Sequence, residues 1–169
     1  MAATGTSSLY TPAQRARRDA TVWTPVQGVL APVQFGVFLV SLGLVIYSLR
    51  TGQATDWALG SVVAKTLLLY AIMVTGCIWE KVVFGQYLFA PAFFWEDVVS
   101  MGVLALHTAY LLVWLQGLWS APEQLALALT AYVAYAFNAA QYLRKLRMAR
   151  LQARSPAPAS HLTPEGAHP

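Results

Sequence analysis

An all-α, polytopic membrane protein with four transmembrane helices and both termini cytoplasmic is the fold class that three observations predict. Of the 169 residues, 57% are hydrophobic and only 11% charged, whereas a soluble domain covers its water-facing surface with roughly 25% charged residues. The apolar residues gather into four continuous segments, each near the ~20 residues that a spanning helix needs. When the chain is threaded through a bilayer four times, nine of its eleven Lys and Arg residues fall on the side of the termini, a strong positive-inside asymmetry.

Residues 1–24 are polar and carry Arg15, Arg17 and Arg18 without an apolar core, so no cleavable signal peptide is expected. Thr11-Pro12-Ala13-Gln14 combines a capping hydroxyl, a proline at the first helical position and an amide three residues on, which predicts a short basic surface helix. Residues 25–150 then form the membrane domain. Its spans run about Val26 to Leu49, Trp57 to Trp79, Phe94 to Leu115 and Leu125 to Leu143. Thr24-Pro25 reads as the cap and first residue of the first span, Pro32 as a kink within it, and Arg50-Thr51-Gly52-Gln53 as its end. Ser120-Ala121-Pro122-Glu123 reads as a capping box for the fourth. Strands are disfavoured, because the segments are continuously apolar and too few for a barrel. Residues 151–169, rich in proline and alanine from Ser155 on, are expected to be disordered. The lone Cys77 permits no intrachain disulfide and no thiol metal cluster. A net charge of +4 concentrated at the two ends fits membrane topology and lipid attraction, not nucleic-acid binding.

The connection between the second and third spans holds the candidate chemistry. Glu80, Glu96 and Asp97 are three of the chain's seven acids and converge on the cytoplasmic face beside Trp79, Lys81, Phe94 and Trp95. Ionisable groups at a membrane are expensive unless paired or hydrated, and so mark functional sites. Deeper in the bilayer, Lys65 and His107 both lie about 20 Å from the cytoplasmic ends of their helices at roughly 1.5 Å per residue, and so can meet across the interface. Each residue also has a plain structural reading: Lys65 as a snorkelling side chain, His107 as a packed core residue, the tryptophans as aromatic belts, Glu96 as a helix-dipole partner, Asn138 and Gln141 as interhelical hydrogen bonds. No Gly-rich phosphate loop, His-Glu-x-x-His or Ser/His/Asp pattern is present. From the residues alone, both acid–base chemistry and binding of an amphipathic ring system fit.

Longer runs add a resemblance. Trp23-Thr24-Pro25-Val26-Gln27-Gly28-Val29-Leu30-Ala31-Pro32-Val33-Gln34-Phe35, Lys65-Thr66-Leu67-Leu68-Leu69-Tyr70 and Ile78-Trp79-Glu80-Lys81 carry it first. It continues through Phe84-Gly85-Gln86-Tyr87-Leu88-Phe89-Ala90-Pro91-Ala92-Phe93-Phe94-Trp95-Glu96-Asp97, Leu106-His107-Thr108-Ala109-Tyr110 and Asn138-Ala139-Ala140-Gln141. On these runs the chain resembles the 3-vinyl bacteriochlorophyllide hydratase family of bacteriochlorophyll biosynthesis, over most of residues 10–150.

That resemblance implies a hydro-lyase that adds water across the C-3 vinyl group of a chlorophyllide to give a 1-hydroxyethyl substituent. It implies a multi-pass protein of the inner, photosynthetic intracytoplasmic membrane, with chlorophyllide and membrane lipid as partners, no nucleic acid, and contacts to other enzymes of the same biosynthesis. Protonating the terminal vinyl carbon leaves a cation delocalised into the macrocycle, so neither a cofactor nor a resident metal is expected. Two carboxyls in different environments can share such chemistry between them. Glu96 is expected as general acid, with Glu80 or Asp97 orienting water and stabilising the cation. Trp79, Phe94 and Trp95 would flank the ring, and Lys81 or the Arg144 cluster would meet the propionate. Lys65, Asn138 and Gln141 complete the expected binding set. His107 ranks second as proton donor, or as a ligand to the substrate's magnesium. A non-enzymatic pigment carrier is the alternative reading. A haem or quinone redox protein is disfavoured because only one histidine lies in a span, and a transporter because broken-helix repeats are lacking.

Overall fold

The computed structural model describes residues 9–154, and these form five helices without a strand among them. Helix α1 (Pro12–Ala20) begins with the capping box expected of Thr11 and Gln14: Gln14 N–H donates to Thr11 Oγ1 at 3.2 Å, and Thr11 N–H to Gln14 Oε1 at 2.9 Å. Arg17 on α1 donates twice, at 2.9 and 2.7 Å, to Val83 O. It thereby satisfies a carbonyl that the end of the neighbouring helix α3 cannot.

Helix α2 (Trp23–Thr51) starts two residues before Pro25 and runs on through Pro32. Thr24 is therefore inside its first turn and is not the N-cap that the sequence suggested. Its hydroxyl donates to Arg18 O at 2.6 Å and accepts Trp79 Nε1–H at 2.9 Å, which ties α1, α2 and α3 together at one end. Gly52, at φ 68°, closes α2 in the left-handed conformation that glycine adopts most cheaply. Helix α3 (Thr55–Phe84) is 30 residues long and ends at Gly85, φ 90°, so Glu80 and Lys81 lie in its last turns. Helix α4 (Phe94–Leu115) matches the expected third span. Helix α5 (Ala121–Arg154) overruns both the expected fourth span and the domain boundary at 150. The first four residues of the tail predicted to be disordered are thus helical, and the rest of that tail lies outside the described residues. Only half of the capping box at Ser120 forms: the Glu123 carboxylate accepts both the N–H and the hydroxyl of Ser120, each at 2.7 Å.

Among the described residues, α2, α3 and α4 are long and apolar enough to cross a membrane. Helix α5 falls short of the same apolarity, since Thr, Tyr, Asn and Gln interrupt its apolar half and Arg144, Lys145, Arg147 and Arg150 fill the other.

Two hairpins, α2–α3 and α4–α5, pack against each other. Their interior mixes an apolar core around Phe38, Val45, Val62 and Val103 with buried polar side chains. Helix α2 buries Gln34, Phe38, Ser41, Val45 and Ser48, at helical spacing, and exposes Val29, Val33, Leu39 and Val40. Helix α4 buries Glu96, Asp97, Ser100, Val103, His107 and Tyr110. An apolar surface over an interior that holds polar groups is the arrangement lipid favours: apolar groups gain nothing by leaving it, and polar groups must find partners inside. For several of them the interior supplies these. Ser41 bonds Ser61 at 2.6 Å and Tyr132 at 2.5 Å, and Tyr110 OH donates to Leu59 O at 2.9 Å. Phe38 packs on Tyr132 and Tyr135, ring centroids 5.3 and 4.8 Å away, and joins the two hairpins.

Candidate active site

The end of α3 and the start of α4 bring the acids together, and the loop between them locks two in place. Phe89 adopts φ 61°, a left-handed conformation that costs a non-glycine residue about 1–2 kcal/mol. It turns two successive amides towards the helices: Phe89 N–H donates to Asp97 Oδ2 at 2.8 Å and Ala90 N–H to Glu80 Oε1 at 2.7 Å. Hydrogen bonds to ionisable acceptors contribute about 1.5–3 kcal/mol, enough to hold the strained turn. The Glu80 and Asp97 carboxyls also lie within hydrogen-bonding reach of each other. Both are buried, each 4% exposed.

Glu96 goes elsewhere. Its Oε2 is 2.7 Å from Lys145 Nζ on α5, and the same ammonium donates to Ala92 O. Lys145 is thus the counter-ion that fastens α5 to the start of α4.

Tyr142 OH donates to the other oxygen of Asp97, Oδ1, at 3.3 Å, and also contacts Ser100. Ser100 Oγ in turn accepts Asn138 Nδ2–H at 2.8 Å. A polar chain therefore runs inward from the carboxyl pair along α4 and α5.

The aromatic residues divide in the same way. Phe94 and Trp95 are exposed and pack edge to face at 5.4 Å, with Phe89 5.8 Å from Phe94. Trp79, by contrast, is occupied: its nitrogen is on Thr24, and its ring meets Phe84 and Phe93 edge-on, both at 5.8 Å. Lys81 caps its own helix through Gly85 O at 2.8 Å and lies over the Tyr87 ring. Lys65 and His107 do come within electrostatic reach of each other. They lie well inside the bundle, over Tyr135 and Tyr132 of α5, away from the acids. Gln141 is half-buried, its Oε1 without a partner. Sequence reasoning missed Tyr142 and Lys145. The signal was present in α5: Tyr132, Tyr135, Asn138, Tyr142 and Lys145 recur at spacings of three and four, which places them on one helical face.

Fold and site together define an all-helical membrane protein with a buried carboxyl pair at one end of its bundle and exposed aromatic rings beside it. A family model described as 2-vinyl bacteriochlorophyllide hydratase matches residues 10–148, and the chain belongs to that family. Two curated relatives carry the same description. The protein from Cereibacter sphaeroides is 64% identical over 145 residues, covering 85% of this chain and 89% of the relative. That from Rhodobacter capsulatus is 62% identical over 150 residues, covering 88% and 86%. No solved structure matches.

Proposed function

We propose that this protein adds water across the vinyl group of a bacteriochlorophyllide-type macrocycle, and that the Glu80–Asp97 pair handles the proton. The names of its relatives supply the reaction and the substrate class; the vinyl they number 2 is the C-3 vinyl of the alternative numbering. The observation that carries the site assignment is the fixed pair of buried carboxyls, held by the Phe89 and Ala90 amides beside an exposed aromatic patch. A carboxyl pair divides labour, one member carrying a proton and the other not. The first protonates the terminal vinyl carbon; the ionised partner stabilises the cation that spreads into the ring. Glu96, the acid that spacing favoured, already has its charge matched by Lys145 and serves here to hold α5. Phe89, Phe94 and Trp95 offer faces on which a flat macrocycle stacks. Trp79 and Lys81 are engaged within the protein, so the exposed Arg144 is the better partner for the substrate carboxylate.

The distribution of Lys and Arg supports four spans, the fourth in α5 between about residues 125 and 143, with both termini cytoplasmic. The acidic end then faces the cytoplasm of a bacterial inner membrane, where it can exchange protons and receive pigment from neighbouring enzymes.

The test is incubation of the purified protein with chlorophyllide a, without added cofactor, followed by product mass. A gain of one water is expected. Glu80→Gln and Asp97→Asn should each lower turnover by about 10²–10⁴-fold, the usual contribution of a general acid, with pigment binding retained. Pigment bound by native protein but returned unchanged would instead establish a carrier.

A further inference from the structure

Lys65 Nζ, His107 Nε2 and Asn138 Oδ1 are among the buried polar atoms that have no hydrogen-bond partner in the protein. Lys65 and His107 are completely buried and Asn138 is 8% exposed. In the low-dielectric interior of a membrane bundle each unsatisfied group costs about 1–3 kcal/mol, and three together are a large fraction of a typical fold's stability.

Their positions and chemistry specify what would satisfy them. Lys65 Nζ lies 3.7 Å from the centre of the Tyr135 ring, one turn of α5 from Asn138. The His107 ring lies tilted against Tyr132, centroids 5.9 Å apart, one further turn along. The three groups thus follow one face of α5 over six residues, ~9 Å at roughly 1.5 Å per residue. His107 Nδ1 bonds Val103 O at 2.8 Å; since a carbonyl only accepts, Nδ1 carries the hydrogen and Nε2 of the neutral ring is a bare acceptor. Asn138 has donated through Nδ2 and presents an acceptor as well. The order along the face is acceptor, donor, acceptor. No group of three His, Cys, Asp or Glu that could hold a metal ion is found among the described residues. Two of the three groups offer an anion only lone pairs. The ligand that fits is small, neutral, and both donates and accepts: water.

We propose that Lys65, His107 and Asn138 line an intramembrane water site holding a short row of waters, and that the water on His107 Nε2 is the molecule added to the substrate. The second half rests on the hydratase reading. It agrees with the amphipathic shape of the pigment: with its carboxylate at the rim near Arg144, the vinyl group leaves the opposite edge of the ring and points into the bundle. The oxygen of the bound water joins the inner vinyl carbon as one of its O–H bonds breaks, and that proton passes to His107 Nε2. The terminal carbon receives its proton through Ser100 and Tyr142 from the Glu80–Asp97 pair. His107 then returns its proton through incoming water to that chain, so the protein ends as it began.

Two measurements separate the claims. In lipid-embedded protein labelled with nitrogen-15 histidine, magnetisation transfer from water protons to His107 Nε2 is expected, and it should vanish in the Lys65→Met/Asn138→Leu double variant. No transfer in the native protein overturns the water site, whatever the activity. Independently, His107→Leu should reduce kcat about 100-fold or more while the KM for chlorophyllide and pigment binding stay within about threefold. If that variant does not fold, Lys65→Met is read in the same way. Undiminished kcat in a folded variant overturns the co-substrate role. Native protein that holds the water but makes no alcohol overturns the hydratase reading and leaves the water site standing.

Discussion

Whether Glu96 is a structural anchor or an acid can be decided by removing its partner. Lys145→Met keeps the aliphatic stem but deletes the ammonium that sits 2.7 Å from Glu96 Oε2 and on Ala92 O. Exposed ion pairs contribute about 0–1 kcal/mol, while stripping the counter-ion from a fully buried charge costs about 3–5 kcal/mol. The Glu96 side chain is 10% exposed and that of Lys145 25%, so this pair lies between the limits, at about 2 kcal/mol. That corresponds to roughly a 30-fold shift in the folded-to-unfolded ratio. Glu96→Gln should be milder, because a neutral amide still accepts from Lys145. In the double variant much of the Lys145→Met loss should be recovered, since Gln needs no counter-ion; the coupling expected for such neighbours is ~1–2 kcal/mol. Unfolding in mixed micelles, followed by helix circular dichroism, measures all three. Turnover of Glu96→Gln should remain within severalfold of the native value. A Lys145→Met variant within about 0.5 kcal/mol of native stability would refute the anchor, as would a stable Glu96→Gln protein with turnover abolished.

Two further outcomes test local geometry. Gly85→Ala forces an alanine to φ 90° and should destabilise by about 1–2 kcal/mol, and turnover should fall with it because the loop bearing the Phe89 and Ala90 amides shifts. Gly102→Ala, in helical backbone with nothing within 4 Å of the added carbon, should be neutral or stabilising by up to about 1 kcal/mol; thermal unfolding of the pair reads the opposite signs. At the start of α5, the Ser120 hydroxyl and then its N–H hold the Glu123 carboxyl below its ordinary value of 4.5. The cap therefore stabilises fully above about pH 4.5 and is lost as pH falls through the lower folded value. Helix content between about pH 5 and 3 should fall less steeply in Ser120→Ala than in the native chain; parallel curves would count against the cap.

Element positions were legible in the sequence wherever a local cause sets them. The Thr11–Gln14 box starts α1 as expected because both partners lie within one turn. The third span came out as α4 because its apolar run and its flanks agree. Thr24 shows the limit. A hydroxyl before a proline reads as a cap, but tertiary structure offered it Arg18 O and the Trp79 indole, and α2 began earlier. Likewise a capping box has Glu123 exchange bonds with Ser120, and instead its carboxylate takes both donors, since an ionised acceptor outcompetes a hydroxyl.

By itself the sequence determined that this chain is helical and built for lipid, that three acids and two deep basic residues stand out, and that its longest runs resemble a vinyl bacteriochlorophyllide hydratase, because composition, period and motif are properties of neighbours along the chain. Only the tertiary structure decided how those groups pair. Glu80 met Asp97 and not Glu96, Lys145 reached back 49 residues to Glu96, and Tyr142 and Ser100 joined the carboxyls to the interior. Helical spacing fixes which face a residue is on, but rotation and register between helices are set by packing, and the partner of each charge is chosen there.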